Sequence, residues 1–76
     1  MDQQMLLDHL KQAEQHVALG KGHVALQQRL IADLERDGHD TTDARALLKQ
    51  FEEIQVLHLE HHDRLLRELR AAGRAH

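Results

Sequence analysis

At 76 residues the chain is one small domain, of a size at which a lone hydrophobic core is only marginally stable unless something adds buried surface. It has no cysteine, which excludes disulfides and thiolate metal sites, and with no Pro, Trp or Tyr, a single Phe and four Gly it is helix-forming material with few breakers. The net charge of -3 is mixed in sign along the chain, so no overall attraction to nucleic acid is expected, and no apolar run approaches the ~18 residues of a membrane span.

The first element predicted is a helix over about residues 2–37. The preceding Met1 lies in a stretch, Met1-Asp2-Gln3-Gln4, without the basic and apolar regions of a secretory signal, which leaves a cytoplasmic location as the expectation. A heptad runs through this helix without interruption. Gln3, Leu10, Val17, Val24 and Ile31 fall at a, and Leu6, Ala13, Gly20, Gln27 and Leu34 fall at d. The small d residues Ala13 and Gly20 let a partner helix approach closely or admit one of its bulky side chains. Gly20-x-Gly22 also costs roughly 1 kcal/mol of helix propensity per Gly relative to Ala, and with no strand before it is not a nucleotide-binding signal.

A turn follows at about residues 38–41. Gly38 suits the left-handed residue that closes a helix, and Asp40 is placed to cap the next one, with Asp43 as a capping-box-like partner. A turn this short makes the two helices antiparallel neighbours. The second helix is predicted over about residues 41–72, with Ala44, Leu48, Phe51, Gln55, His58, His62, Leu65, Leu69 and Ala72 as one seam. Leu47, Ile54 and His61 lie beside it and leave the register open. Folding about the turn sets His58 to His62 opposite Val17 and Gly20, so the small d residues are expected to make room for imidazoles.

The architecture expected is therefore all-α: an antiparallel two-helix hairpin, coiled-coil-like, forming the single domain 1–76. Apolar residues also flank the seam, with Leu30, Leu47 and Ile54 on the g side and Leu7, expected to meet Leu59 and Leu66, on the e side. Two helices hide only one seam, so these six residues are the expected self-association surface of a homodimer forming a four-helix bundle. On the outer faces Arg29–Asp33, Glu60–Arg64 and Asp63–Arg67 are spaced as i,i+4 pairs, and Arg64, Arg67, Arg70 and Arg74 form a stripe that complements the helix dipole.

Histidine is the compositional anomaly. Eight are present, and protonating all of them moves the net charge from -3 to +5 around the ordinary imidazole pKa of ~6.5. His58 and His62 lie one turn apart on one face, the spacing at which two imidazoles share an ion, and His16 could supply a third nitrogen, with His61 as an alternative. Zinc or another transition metal is the ligand this pattern implies. The paired Glu-x-x-His motifs of di-iron bundles are absent, and haem is disfavoured by the lack of aromatics to line its pocket. His9, His16 and His23, seven apart, form a line too extended to hold one ion. The favoured reading makes these histidines amphipathic residues at the edge of the seam, half buried and hydrogen-bonded across it, with no cofactor expected and the metal site as the alternative.

Ser and Cys are both missing, and Thr41 and Thr42 read as turn residues, so enzyme activity is not expected. Three readings remain: a small non-enzymatic interaction or scaffold module acting as a homodimer with an unidentified protein partner, a histidine-dependent metal-binding bundle, and an assembly that responds to pH. The segment Leu30-Ile31-Ala32-Asp33-Leu34-Glu35-Arg36-Asp37-Gly38-His39-Asp40-Thr41, followed by Leu47-Leu48, Phe51-Glu52-Glu53, Leu57-His58 and Arg64-Leu65, resembles a group of short, uncharacterised helical proteins of alphaproteobacteria. The resemblance spans about His16 to Leu69 and implies no activity, cofactor or site residue.

Overall fold

A computed structural model of the chain describes residues 2–74; Met1, Ala75 and His76, and with them the ends of the predicted domain, lie outside the described residues. Two helices, α1 (Gln3–Arg36) and α2 (Thr42–Arg74), fold back on each other as an antiparallel hairpin 61 Å long and 14 Å across. None of the described helices is long and apolar enough to cross a membrane.

Local chemistry sets each end of α1. Asp2 is its N-cap, the carboxylate accepting the Met5 N–H at 2.8 Å. At the other end the His39 N–H donates to the Leu34 carbonyl at 2.9 Å and the Gly38 N–H to the Glu35 carbonyl at 3.1 Å, the two bonds of a Schellman motif. Gly38 has φ +76°, a conformation that costs a side-chain-bearing residue about 1 kcal/mol or more. The start of α2 differs from the expectation. Asp40 accepts from the backbone N–H and the hydroxyl of Thr42, at 2.9 and 2.7 Å, and so closes a turn ahead of the helix. Thr41 takes the N-cap position, its carbonyl accepting the first helical bond from Arg45 at 2.9 Å. The two hydrogen bonds from Thr42 hold the Asp40 carboxyl below the usual carboxylate range.

The seam follows the heptad. Leu6, Leu10 and Ala13 of α1 and Leu65 of α2 form a buried cluster near the open end of the hairpin, on which Leu66, Leu69 and Ala72 pack, and Ile31 is buried separately toward the turn. The second-helix seam from Ala44 to Ala72 is buried or half-buried throughout, whereas Leu47, Ile54 and His61 are exposed, which fixes the register left open above. Gln3, at the first a position, stays exposed.

Between the two ends the seam mixes half-buried Val17, Val24, Leu48 and Phe51 with two glutamines. The Gln27 side chain donates to the Ala44 carbonyl and that of Gln55 to the Val17 carbonyl, both at 2.9 Å. Each helix thus sends one carboxamide across to the other's backbone, which pins their axial register. The space over Gly20 is filled by the Gln55 carboxamide, whose Oε1 is buried and unpartnered, and a methyl group at position 20 would fall directly on it. The imidazoles expected there stand beside that space and do not fill it: Gln55 lies over Gly20, and His58, a turn further along, borders the same groove as Gly20. The exposed i,i+4 ion pairs are also rearranged: Asp33 pairs with Arg36 at 3.1 Å, Arg45 with Glu35, and Asp63 contacts His62. Such pairs contribute little in solvent, so small differences in reach decide them.

Candidate functional site

The two flanks of the seam are chemically different. On the e side, Lys21, Val24, Glu52, Gln55, Val56 and Leu59 line a groove in which fixed charges alternate with apolar groups. Leu59 therefore stands beside Lys21 and Val24, two heptads or roughly 21 Å of helix rise from Leu7, and does not meet it. Leu66 is half-buried against the core. The expected self-association residues of this side are thus divided among separate places along the hairpin.

On the other flank, the g positions and the neighbouring c positions form one continuous face. From Met5 to Leu30 along α1 and from Leu47 to His61 along α2, its residues are Met, Leu, Ile, Gln and His, with no Asp, Glu, Lys or Arg among them. Most of the large exposed apolar side chains are here: Leu19, Leu26 and Leu57 are 62, 65 and 64% exposed, with Met5, Leu30, Leu47 and Ile54 around them. A groove of about 260 Å³ lies halfway along this face, lined by His16, Leu19, Gly20, His23, Phe51, Ile54 and His58. Its walls are joined across the seam by two ring pairs, His16 with His58 and His23 with Phe51, with ring centres 5.5 and 5.7 Å apart. The heptad already implied this asymmetry; c positions such as Leu19, Leu26 and Leu57 were the signal that seam-and-flank reasoning passed over.

Of the three histidines expected to bind metal, His16 and His58 come together and His62 does not join them. His62 lies on the side of Glu14 and Asp63, with its ring nitrogens 3.8 and 3.4 Å from their carboxylates. Among the described residues no three His, Cys, Asp or Glu form a group able to hold an ion. His61 stacks back toward its own helix, its Nδ1 3.3 Å from the Arg64 guanidinium. Arg64 and Arg67 of the basic stripe line a shallow groove with Leu57, Glu60 and His61, where Glu60 opposes their charge.

The burial pattern shows what this hairpin lacks. Its exposed area is 5888 Å², against about 4,800 Å² for a compact monomer of its 8.8 kDa mass. Among the described residues only five apolar side chains are buried, and none is wholly inaccessible. Between Ala13 and Gln27 no α1 residue is buried, so the middle of the seam, under the histidine-lined groove, is the least covered part of the core. Comparison of the chain with family models, with curated proteins and with solved structures gives no match.

Proposed function

We propose that the chain is a small non-enzymatic interaction module that works as a homodimer, two hairpins packing through the uncharged g/c face into a four-helix bundle. The observation that carries this reading is the combination of that face with the exposed area. The excess over a compact monomer is roughly 1,100 Å² per chain, comparable to the ~800 Å² per partner of a standard stable interface. The face runs much of the hairpin's length, and a second copy matches that length by construction and meets like with like about a two-fold axis. Fixed charges stay outside the contact, so little desolvation opposes it.

In this reading the bundle presents its charged outer faces, including the Arg64, Arg67, Arg70 and Arg74 stripe, to a further protein partner in the cytoplasm. The same face makes the assembly sensitive to acid. Histidines are its only ionisable side chains, and charging them places like charges opposite one another in an otherwise apolar contact.

Sedimentation equilibrium of the purified chain tests the proposal. A dimer is expected, converted to monomer by Ile54→Glu or Leu30→Glu and left intact by Leu59→Glu on the opposite flank. A monomeric native chain, or a dimer broken by Leu59→Glu and not by Ile54→Glu, overturns it.

A further inference from the structure

Two imidazoles, His16 and His58, meet in the groove at the centre of the face. Two imidazoles bound to one tetrahedral ion at ~2.0 to 2.1 Å per bond hold their ring centres roughly 5 Å apart. His16 and His58, on different helices, already stand 5.5 Å apart with their planes tilted by 41°. Neither ring is held in a salt bridge or a hydrogen bond among the described residues, so their nitrogens are free to turn toward the groove. Two ligands alone bind an ion weakly, and the hairpin provides no third.

Position along the rod supplies the rest. His16 and His58 lie close to the midpoints of α1 (Gln3–Arg36) and α2 (Thr42–Arg74). A two-fold axis through the middle of the face, perpendicular to the long axis, brings each midpoint against its own copy. The paired histidines then meet the same pair of the second hairpin, and four imidazoles surround one point.

We propose that the dimer binds one divalent transition-metal ion, zinc or an ion of similar preference, on its two-fold axis through His16 and His58 of both chains. Imidazole suits such ions, and a four-nitrogen set without thiolate or carboxylate excludes magnesium and calcium. The site rests on the dimer proposed above and is incomplete without it. It also accounts for polar rings at the least covered point of a seam that is apolar at both ends: the ion, and not a larger side chain, ties the middle of the bundle together. His62, turned toward Glu14, takes no part.

The test uses native mass spectrometry and sedimentation equilibrium of the full chain, stripped with chelator and then titrated with zinc chloride. One zinc per two chains is expected, and at free zinc a hundredfold above its dissociation constant the dimer dissociation constant falls about 100-fold. His16→Ala and His58→Gln each abolish ion uptake and keep the native helix content, and zinc no longer tightens the dimers that they form. His62→Ala retains the ion. A metal-free dimer that takes up no zinc overturns the site and leaves the dimer standing. A chain that is monomeric with and without zinc overturns both. One zinc per monomer, or loss of the ion in His62→Ala, overturns the shared site in favour of one within a single hairpin.

Discussion

Gly20→Ala adds one methyl group where the structure has no room for it, and Gly22→Ala adds the same group two residues away where nothing lies within 4 Å. Both substitutions raise the helix propensity of α1 by about 1 kcal/mol, and at position 22 that gain stands alone. At position 20 the methyl displaces the Gln55 carboxamide from its place over Gly20 and breaks its 2.9 Å bond to the Val17 carbonyl. Loss of that bond costs about 1 kcal/mol, and moving the flexible end of the Gln55 side chain out of the packed seam costs about 1 kcal/mol more. The net effect is destabilisation by about 1 kcal/mol, so the two variants separate by about 2 kcal/mol with opposite signs. Urea unfolding followed by circular dichroism, at one chain concentration so that association is held constant, measures both. The double variant Gly20→Ala/Gln55→Ala isolates the contact, since it restores at least ~1 kcal/mol relative to the sum of the single changes. If Gly20→Ala stabilises the protein as much as Gly22→Ala does, Gln55 does not occupy the space over Gly20 and the account of the mid-seam is wrong.

Gly38→Ala forces a side chain into φ +76° and is expected to destabilise by about 1 kcal/mol, read as a lower unfolding midpoint at unchanged helix content. Because Thr42 holds the Asp40 carboxyl below its usual range, Asp40 stabilises the fold above the unfolded-state pKa of ~3.9 and loses that contribution as pH falls through the lower folded value. The stability difference between the native chain and Asp40→Ala should therefore be constant above about pH 5 and shrink below about pH 4; a difference that persists unchanged into strong acid would count against the Thr42 contacts. In chelator, so that no ion competes, lowering the pH from 8 to 5 should weaken the dimer, and replacing His9, His16, His23, His58 and His61 together by Gln should remove most of that sensitivity. Sedimentation at the two pH values checks this, and an equally tight dimer at pH 5 refutes it.

Much of the hairpin was legible in the residues themselves. The 3.5-residue repeat of Leu6, Leu10, Ala13, Ile31 and Leu34 marks one stripe of a helix, and Gly38 within a polar segment marks where the chain can turn, because both are properties of local backbone geometry and of transfer from water. The ends of α2 were less so: Asp40 and Thr41 are both able to cap, and only the course of the turn decided that Asp40 binds Thr42 while Thr41 begins the helix.

What the sequence left open lies at the contact between helices. Two stripes of α2 had the spacing of a seam, and packing selected Ala44 to Ala72 and left Leu47 and Ile54 outside, since a hairpin can cover one stripe only. The occupant of the space over Gly20 depends on axial register to within a turn, which the Gln27 and Gln55 bonds set and no heptad specifies, so Gln55 fills the place expected for imidazoles. His62, although one turn from His58, lies toward Glu14 and Asp63 and away from the His16 ring. Periodicity along one helix says which side chains share a face, and only the fold says which of them meet across it.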